Sequence, residues 1–404
     1  MTVEIRPANP EEMEQFRHVI STALLLSPET FGTKEEIALS AQWTMCAFED
    51  GKLATAYRAW PWQMRFNGKA IPVAGVNSIG TLPIYRRHGY VRKVHKAHFE
   101  LLHEKGEQPI AILYASMAAI YQRYGYAVTS TYNTYNLEPR YLQFSFPQVT
   151  PGAFREVGDD EFGLLVDLYR RFRADKIGYI HRSRDQWNYD ILSPPPAGGI
   201  LNKVVYEEDG EPVGYVIYTV DPIREAGPRR PNHRIIIRDL IWPTSSAYRA
   251  VWEYFASMDL AGYISWRRVP PDDPLPHLLL EPRMLNMTSH DGLMGCIVDV
   301  EQSMPKRGYG EEGELTFEIV DELCPWNQGR WKLETSITGS SISRTREGPQ
   351  LVMPISTMAM LVFGQISASE AARMGRLDVN EDSSLSLWDK VMRTKYRPFC
   401  ADYF

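Results

Sequence analysis

Twice along the chain a helical segment is followed by a hairpin turned on Asp-Gly, and this repeated order is the strongest constraint on the fold. The first set opens with a helix over 11–25. It continues through Met45-Cys46-Ala47-Phe48, the turn Glu49-Asp50-Gly51-Lys52 and Leu53-Ala54-Thr55-Ala56-Tyr57. Asp-Gly between short apolar runs is the turn chemistry of a tight hairpin. A second turn, Asn67-Gly68, joins Trp62-Gln63-Met64-Arg65-Phe66 to Ile71-Pro72-Val73-Ala74-Gly75-Val76. The later set has a helix over 160–173, the strand Val204-Val205-Tyr206, the turn Glu208-Asp209-Gly210 and a strand over 213–218. A strand at Ile235-Ile236-Ile237 and a helix over 248–258 follow. Two α/β halves of like order imply an old duplication. The second half has no glycine-rich turn after its strand, so no cofactor is expected there.

From about residue 285 the texture changes. Leu315-Thr316-Phe317-Glu318-Ile319-Val320 alternates as a half-buried strand does. Another strand is expected over 329–335, and helices over 357–363 and 369–374. The fold expected is therefore α/β with α+β character: two similar α/β domains and a third α+β domain. At 404 residues the chain is long enough for two or three domains. The expected boundaries are 1–146, 147–284 and 285–404, the first falling at the Pro/Gly stretch over 147–152.

Composition closes off several classes. A chain with 44% hydrophobic and 23% charged residues has ample material for a core. It has no run of eighteen apolar residues, so neither a membrane span nor a membrane partner is expected. Met1 to Arg6 leads into polar sequence without a signal core. Cys46, Cys296, Cys324 and Cys400 are scattered, which reads as reduced thiols in a cytoplasmic protein, with no metal. A net charge of -6 argues against a nucleic-acid partner and favours cationic ligands.

The most informative stretch is Ile79-Gly80-Thr81-Leu82-Pro83-Ile84-Tyr85-Arg86-Arg87-His88-Gly89-Tyr90-Val91-Arg92-Lys93. A strand arrives, a proline breaks it, and a basic turn opens a helix. That helix is expected to bury Val91, Val94, His98, Leu101 and Leu102 on one face. First-turn amides have no internal partners and the dipole there is positive, so arginines beside them make a seat for a pyrophosphate. A solvated basic helix start is the competing reading. One glycine makes neither a Walker loop nor a dinucleotide fingerprint.

The strand, this Arg-x-x-Gly turn and the later Ile120-Tyr121-Gln122-Arg123-Tyr124-Gly125-Tyr126 together resemble a GNAT-superfamily acetyltransferase. More narrowly, the whole chain resembles the enhanced intracellular survival (Eis) family. Pro271-Asp272-Asp273-Pro274-Leu275 and Cys324-Pro325-Trp326-Asn327-Gln328-Gly329-Arg330-Trp331 extend the likeness beyond the first domain. The resemblance implies two tandem GNAT-like domains followed by a sterol-carrier-like domain, with acetyl-CoA held by the first. It places the acetyl-CoA contacts on Ile79, Gly80 and Thr81, on Arg87, His88, Gly89, Tyr90, Val91 and Arg92, and on Ser116 and Met117. Val91 departs from the general GNAT turn, which has Gly or Ala there. The resemblance also implies a homo-oligomer, with a hexamer the expected form.

Acetyl transfer to an amine needs a proton donor for the departing thiolate and an acceptor for the amine's proton. By resemblance, Tyr121 is the general acid and the α-carboxylate of Phe404 receives the amine's proton, directly or through water. Tyr124 and Tyr126 read as packing aromatics. A carboxylate of pKa about 3.5 is a poor base for an ammonium near 10, which points to amines whose pKa is lowered by neighbouring charges. A polyamine-type, aminoglycoside-like acceptor meets that requirement. Carboxylates and aromatic faces should line its pocket, with Trp43, Trp60, Trp62, Glu35, Glu36 and Asp402 available. Family members active on aminoglycosides carry an acidic penultimate residue where this chain has Tyr403, so the acceptor stays open. His95, His98 and His103 share a helix without sharing a face, and no metal site is expected of them. Asp272-Asp273 reads as a turn cap. Two other readings remain: a lipid-binding or regulatory protein acting through the third domain, and a CoA-binding protein without catalysis.

Overall fold

All three expected hairpin turns form, each with two consecutive left-handed residues: Asp50 and Gly51, Asn67 and Gly68, Asp209 and Gly210. Positive φ at both positions matches the twist of the strands they join, which is why Asn/Asp-Gly pairs occupy them. The structure, a computed structural model, describes residues 2–27, 40–195, 199–223 and 233–404. These group into two compact units. One comprises 1–129, 293–394 and residue 404, and the other 130–292 and 395–403.

In the first unit the leading sheet is built from β1 (Val3–Arg6), β2 (Cys46–Glu49), β3 (Lys52–Phe66), β4 (Lys69–Thr81), β5 (Ile110–Leu113) and β6 (Ala127–Val128). Its order is β1-β2-β3-β4-β5, then the strand Met294–Ile297 from far along the chain, then β6. Only β4 and β5 run parallel, so a crossover helix must join them. That helix is α2 (Tyr90–Lys105); α1 (Met13–Leu24) and the short α3 (Ala118–Tyr121) complete the set. Helix α1 packs Phe16, Val19 and Ile20 against Phe48 and Leu53.

Helix α2 departs from its expected face. It buries Val94, His95, His98, Phe99 and Leu102, whereas Val91 and Leu101 are half-buried. Phe99 lies in the core with Leu113 and Tyr126, and full burial of such a side chain contributes about 2 kcal/mol. Aromatic partners make room for the imidazoles. His98 Nδ1 is 2.7 Å from the Tyr57 hydroxyl, and the His95 ring stacks on Tyr124.

The second unit repeats the plan with β7 (Thr131–Leu137), β8 (Ala153–Glu156), β9 (Leu201–Glu208), β10 (Glu211–Pro222), β11 (His233–Ile241), β12 (Ala261–Val269) and β13 (Thr288–Asp291). Helices α4 (Phe162–Phe172) and α5 (Ser245–Ala256) belong to it. The sheet order is β13-β7-β12-β11-β10-β9-β8, with β11 and β12 the parallel pair. Read from the other edge, this is the first sheet's plan. In each sheet the slot beyond the parallel pair is filled by a strand remote in sequence, β7 here and Met294–Ile297 there.

That remote strand is β14 (Met294–Ile297), and β15 (Gly313–Val320), β16 (Gly329–Thr335), β17 (Ser340–Arg344), β18 (Leu351–Pro354) and β19 (Asp378–Val379) follow. The last five form a sheet in the order β17-β16-β15-β18-β19, packed with α6 (Ile355–Phe363), α7 (Ala368–Arg373) and α8 (Ser384–Met392). The Cys-Pro-Trp-Asn run is its latch to the first sheet. Trp326 Nε1 donates to Val298 O at 2.8 Å, and Asn327 Oδ1 accepts from Val300 N at 2.9 Å. Asn327 Nδ2 donates to Asp321 Oδ2 at 3.0 Å. The fully buried Arg307 donates to Val362 O and Met392 O, carbonyls at the C-terminal ends of α6 and α8. A cation there complements two helix dipoles at once.

Candidate active site

Strand β4 pairs with β5 only from Val73 to Gly75, then runs on to Thr81. Its other edge stays on β3 as far as Thr81. From Val76 onward the edge facing β5 is therefore released from the ladder, and the two strands part as a fork. Ile79, Gly80 and Thr81 lie on one arm. Gly80 is held small by its back face, where a Cβ would come 2.6 Å from Ala23 Cβ. Ser116 and Met117, both exposed, follow β5 on the other arm.

The β4 arm leads into the basic turn. Arg87 and Gly89 both have left-handed φ (68° and 76°). Gly89 is the N-cap of α2, with no side-chain cap on the first-turn N–H groups and no atom within 4 Å of where its Cβ would be. Arg86, Arg87, His88 and Arg92 are exposed around it. Tyr90 and Val91 sit differently. The Tyr90 hydroxyl is buried and donates to Glu49, and the His88 imidazole lies 3.5 Å from that same carboxylate. Glu49, missed in the sequence, ties the turn to β2. What remains open is backbone N–H and positive charge, the chemistry of an anion seat.

Tyr121 ends α3, and its side chain is buried. Burial pushes the phenol's pKa up, and the Ser116 hydroxyl bonded to it works the other way. The phenol therefore stays protonated at neutral pH, available as an acid and not as a base. Tyr124 and Tyr126 are buried beside it.

Phe404 packs at the fork. Its ring lies 4.3 Å from that of Trp62 and 5.3 Å from that of Tyr114, the first residue past β5. Trp62 packs on Gly75, the last β4 residue paired with β5, where a Cβ would overlap the indole. Neither Gly75 nor Tyr114 stood out in the sequence, because only the fold brings them to the fork.

The remaining candidates scatter. Trp60 lies under the Arg58 guanidinium, and Trp43 is at the surface. Glu35 and Glu36 lie outside the described residues. Asp402, expected to be available to a cation, is buried in the second unit and bonded to Arg182 at 2.6 Å. His95 and His98 point into the core, while His103 bonds to Asp299 at 2.6 Å, so the three do not converge. Among the described residues no cluster of His, Cys, Asp and Glu could hold a metal, and no helix is long and apolar enough to cross a membrane.

Residues 4–129 and 178–297 each match models of the acetyltransferase (GNAT) domain, and residues 300–401 match the sterol carrier protein domain. An N-acetyltransferase of Streptomyces avermitilis is 26% identical over 419 residues, covering 100% of this chain and 99% of its own length. The N-acetyltransferase Eis of Mycobacterium tuberculosis is 27% identical over 329 residues, 79% of this chain and 77% of its own. Among solved structures, a GCN5-related N-acetyltransferase from Anabaena variabilis superposes with a TM-score of 0.86 over 100% of both chains at 21% identity. Eis1 from Mycobacterium abscessus superposes with a TM-score of 0.81 at 24% identity, over 99% of this chain and 100% of its own. At those identities the structural likeness is one of fold. With acetyltransferase domains in tandem and a sterol carrier domain after them, the chain is a GNAT-type N-acetyltransferase similar to the Eis proteins.

Proposed function

We propose that the protein transfers the acetyl group of acetyl-CoA to a primary amine of a polyamine-type, aminoglycoside-like acceptor. Tyr121 is the acid and the Phe404 carboxylate the proton acceptor. One observation carries this reading: the fork of β4 and β5 has an open, uncapped helix start on one arm, Tyr121 after the other, and Phe404 packed against Trp62 and Tyr114. The freed edge of β4 suits the amides of a pantetheine arm, which would add as a strand does. The N–H groups of the Gly89 turn, with Arg87 and Arg92, suit a pyrophosphate.

When bound, acetyl-CoA supplies an activated acyl carbon and a thiolate leaving group. The new C–N bond forms as the C–S bond breaks. Tyr121 holds a proton at its phenol oxygen and gives it to the departing sulfur. The Phe404 carboxylate takes the amine's proton, directly or by orienting a water. Trp62 and Tyr114 hold the Phe404 ring, which limits where that carboxylate can go. A phenol near 10 donating to a thiolate whose acid is near 8.5 runs slightly uphill, so the donation depends on orientation.

The third domain serves to deliver the chain's end, and a homo-oligomer, a hexamer in the expected form, is part of the same proposal. Lipid binding by that domain is the weaker reading: Phe317, Trp331 and Trp388 are fully buried in it together with the Arg307 cation.

The test is CoA thiol release with a panel of aminoglycosides, polyamines and lysine peptides. Tyr121→Phe should lower kcat by about 10²- to 10⁴-fold with the acetyl-CoA Kd unchanged. Unchanged turnover in Tyr121→Phe would reject the assigned acid. Acetyl-CoA binding without release to any polycation would reject the acceptor class.

A further inference from the structure

The second unit has a fork of its own. Strands β11 and β12 pair from His233 and Ala261 to Ile237 and Trp266, then part. Side chains just past that point on each strand hold the tail of the chain. Asp239 of β11 accepts from Arg182 Nη1 at 2.6 Å, and Arg182 Nε donates to Asp402 Oδ1 at 2.6 Å. Arg268 of β12 donates to Ala401 O at 3.0 Å. Arg182 is fully buried, its guanidinium 3.9 Å from the Tyr169 ring and 4.7 Å from that of Trp187. Tyr215 OH donates to Asp239 at 2.6 Å.

The same groove grips the tail upstream. Phe399 N–H donates to Ile177 O at 3.2 Å, and Arg397 N–H to Asp272 at 2.9 Å. Gly178 has φ +90°, and a Cβ there would fall 2.6 Å from Phe399 O. The Lys176 ammonium lies 3.5 Å over the Tyr396 ring, and Lys395 pairs with Asp175 at 2.6 Å.

Surface contacts alone would let an extended segment slip. A buried ion pair does not, because moving the tail by one residue would strand Arg182 and Asp402 out of water without each other. Such a pair specifies register more than it adds stability. The next residue but one is Phe404.

We propose that the second acetyltransferase-like unit is a docking groove for the protein's own tail, and that Arg182 and Gly178 are positioning residues that set the register of the C-terminal carboxylate. The catalytic consequence rests on the role proposed for Phe404, whereas the docking does not.

The test uses full-length protein and three readouts: hydrogen exchange of 395–403, kcat for acetyl transfer, and the acetyl-CoA Kd. In the wild type, that segment should exchange at least about 100-fold more slowly than the free peptide. Asp402→Asn and Gly178→Ala should release that protection while β9 and β10 stay protected, and kcat should fall with Kd unchanged. Inserting one glycine between Asp402 and Tyr403 keeps the clamp but moves the carboxylate by up to about 3.5 Å. Protection should then persist while kcat drops about 100-fold or more. Free-peptide exchange in the wild type would overturn the docking. Unchanged turnover in the insertion variant would overturn the register role. A wild type that turns over no acceptor would instead fail the reaction, leaving exchange to judge the docking.

Discussion

The two halves carry the same βαβ unit, and the difference lies in what occupies the fork. In the first, β4 and β5 part after a short pairing, and α2 begins at Gly89 with its first-turn N–H groups uncapped. In the second, α5 is capped by Thr244, whose side chain accepts from Ala247 N at 3.1 Å. The second fork binds the protein's own tail through Asp239, Arg182 and Arg268. What lies beneath differs too. The first half buries neutral imidazoles, and the second buries an arginine with carboxylates. A duplicated unit thus keeps its fold while one copy leaves backbone donors open and the other satisfies them internally. Unmade hydrogen bonds are costly only where water is excluded, so an open helix start survives at a surface cleft.

The largest effect expected from this contrast is an opposite response to pH. Burial holds His95 down to about 4 and His98 to about 3, against an ordinary 6.5. Unfolded imidazoles take up protons below 6.5 and the folded ones do not. Their contribution is therefore present above 6.5 and lost as pH falls toward 4, at on the order of 1 kcal/mol per pH unit for each. In the second unit, burial pushes Asp273 up to about 7 from 3.8, despite hydrogen bonds from Tyr248, Leu275 N–H and Tyr135. Its folded form holds a proton that the unfolded form has released, so that contribution is full below 3.8 and lost as pH rises toward 7. Urea midpoints across pH should show His95→Phe less sensitive to acid than the wild type. Asp273→Asn should show a smaller decline between pH 4 and 7. Parallel pH profiles in all three proteins would break the contrast.

Next in size is the helix start itself. Gly89→Asp puts a carboxylate on the open amides, in a left-handed conformation that Asp tolerates. The acetyl-CoA Kd should rise about tenfold or more, with the melting temperature little changed. An unaltered Kd would mean that the turn is not the anion seat. The smallest effect belongs to the second half. Thr244→Ala should cost about 1 kcal/mol of stability by urea denaturation. It should leave the Kd for acetyl-CoA where it was, since no second site is uncovered.

Features set by local chemistry were legible in the sequence. Asp-Gly and Asn-Gly turns need two left-handed residues wherever they occur, and all three formed. The 15-residue β3 spans both runs expected as separate pieces, 53–57 and 62–66, and carries Pro61 in its interior. On α2 the 3.6-residue period pointed to Val91, Val94, His98, Leu101 and Leu102, and the burial of His95 was not visible because the rings that accept it, Tyr57, Tyr124 and Tyr126, lie on other elements. Asp273 read as a turn cap and does bond Leu275 N–H, yet it also takes the Tyr135 and Tyr248 hydroxyls, from elements well over twenty residues away. Asp402 looked available to a ligand because nothing in its neighbourhood marks Arg182, some 220 residues earlier, as its partner.

By itself, the sequence determined the turns, the uncapped basic helix start at Gly89 and the tyrosine at the end of α3. Each depends on residues within one helical turn or one hairpin, where φ preferences and missing backbone partners act directly. Only the tertiary structure decided which remote strand fills each sheet, which fork stays open and what the tail is clamped to. Those outcomes turn on pairings between distant residues, whose energies come from shared burial and leave no local mark in the chain.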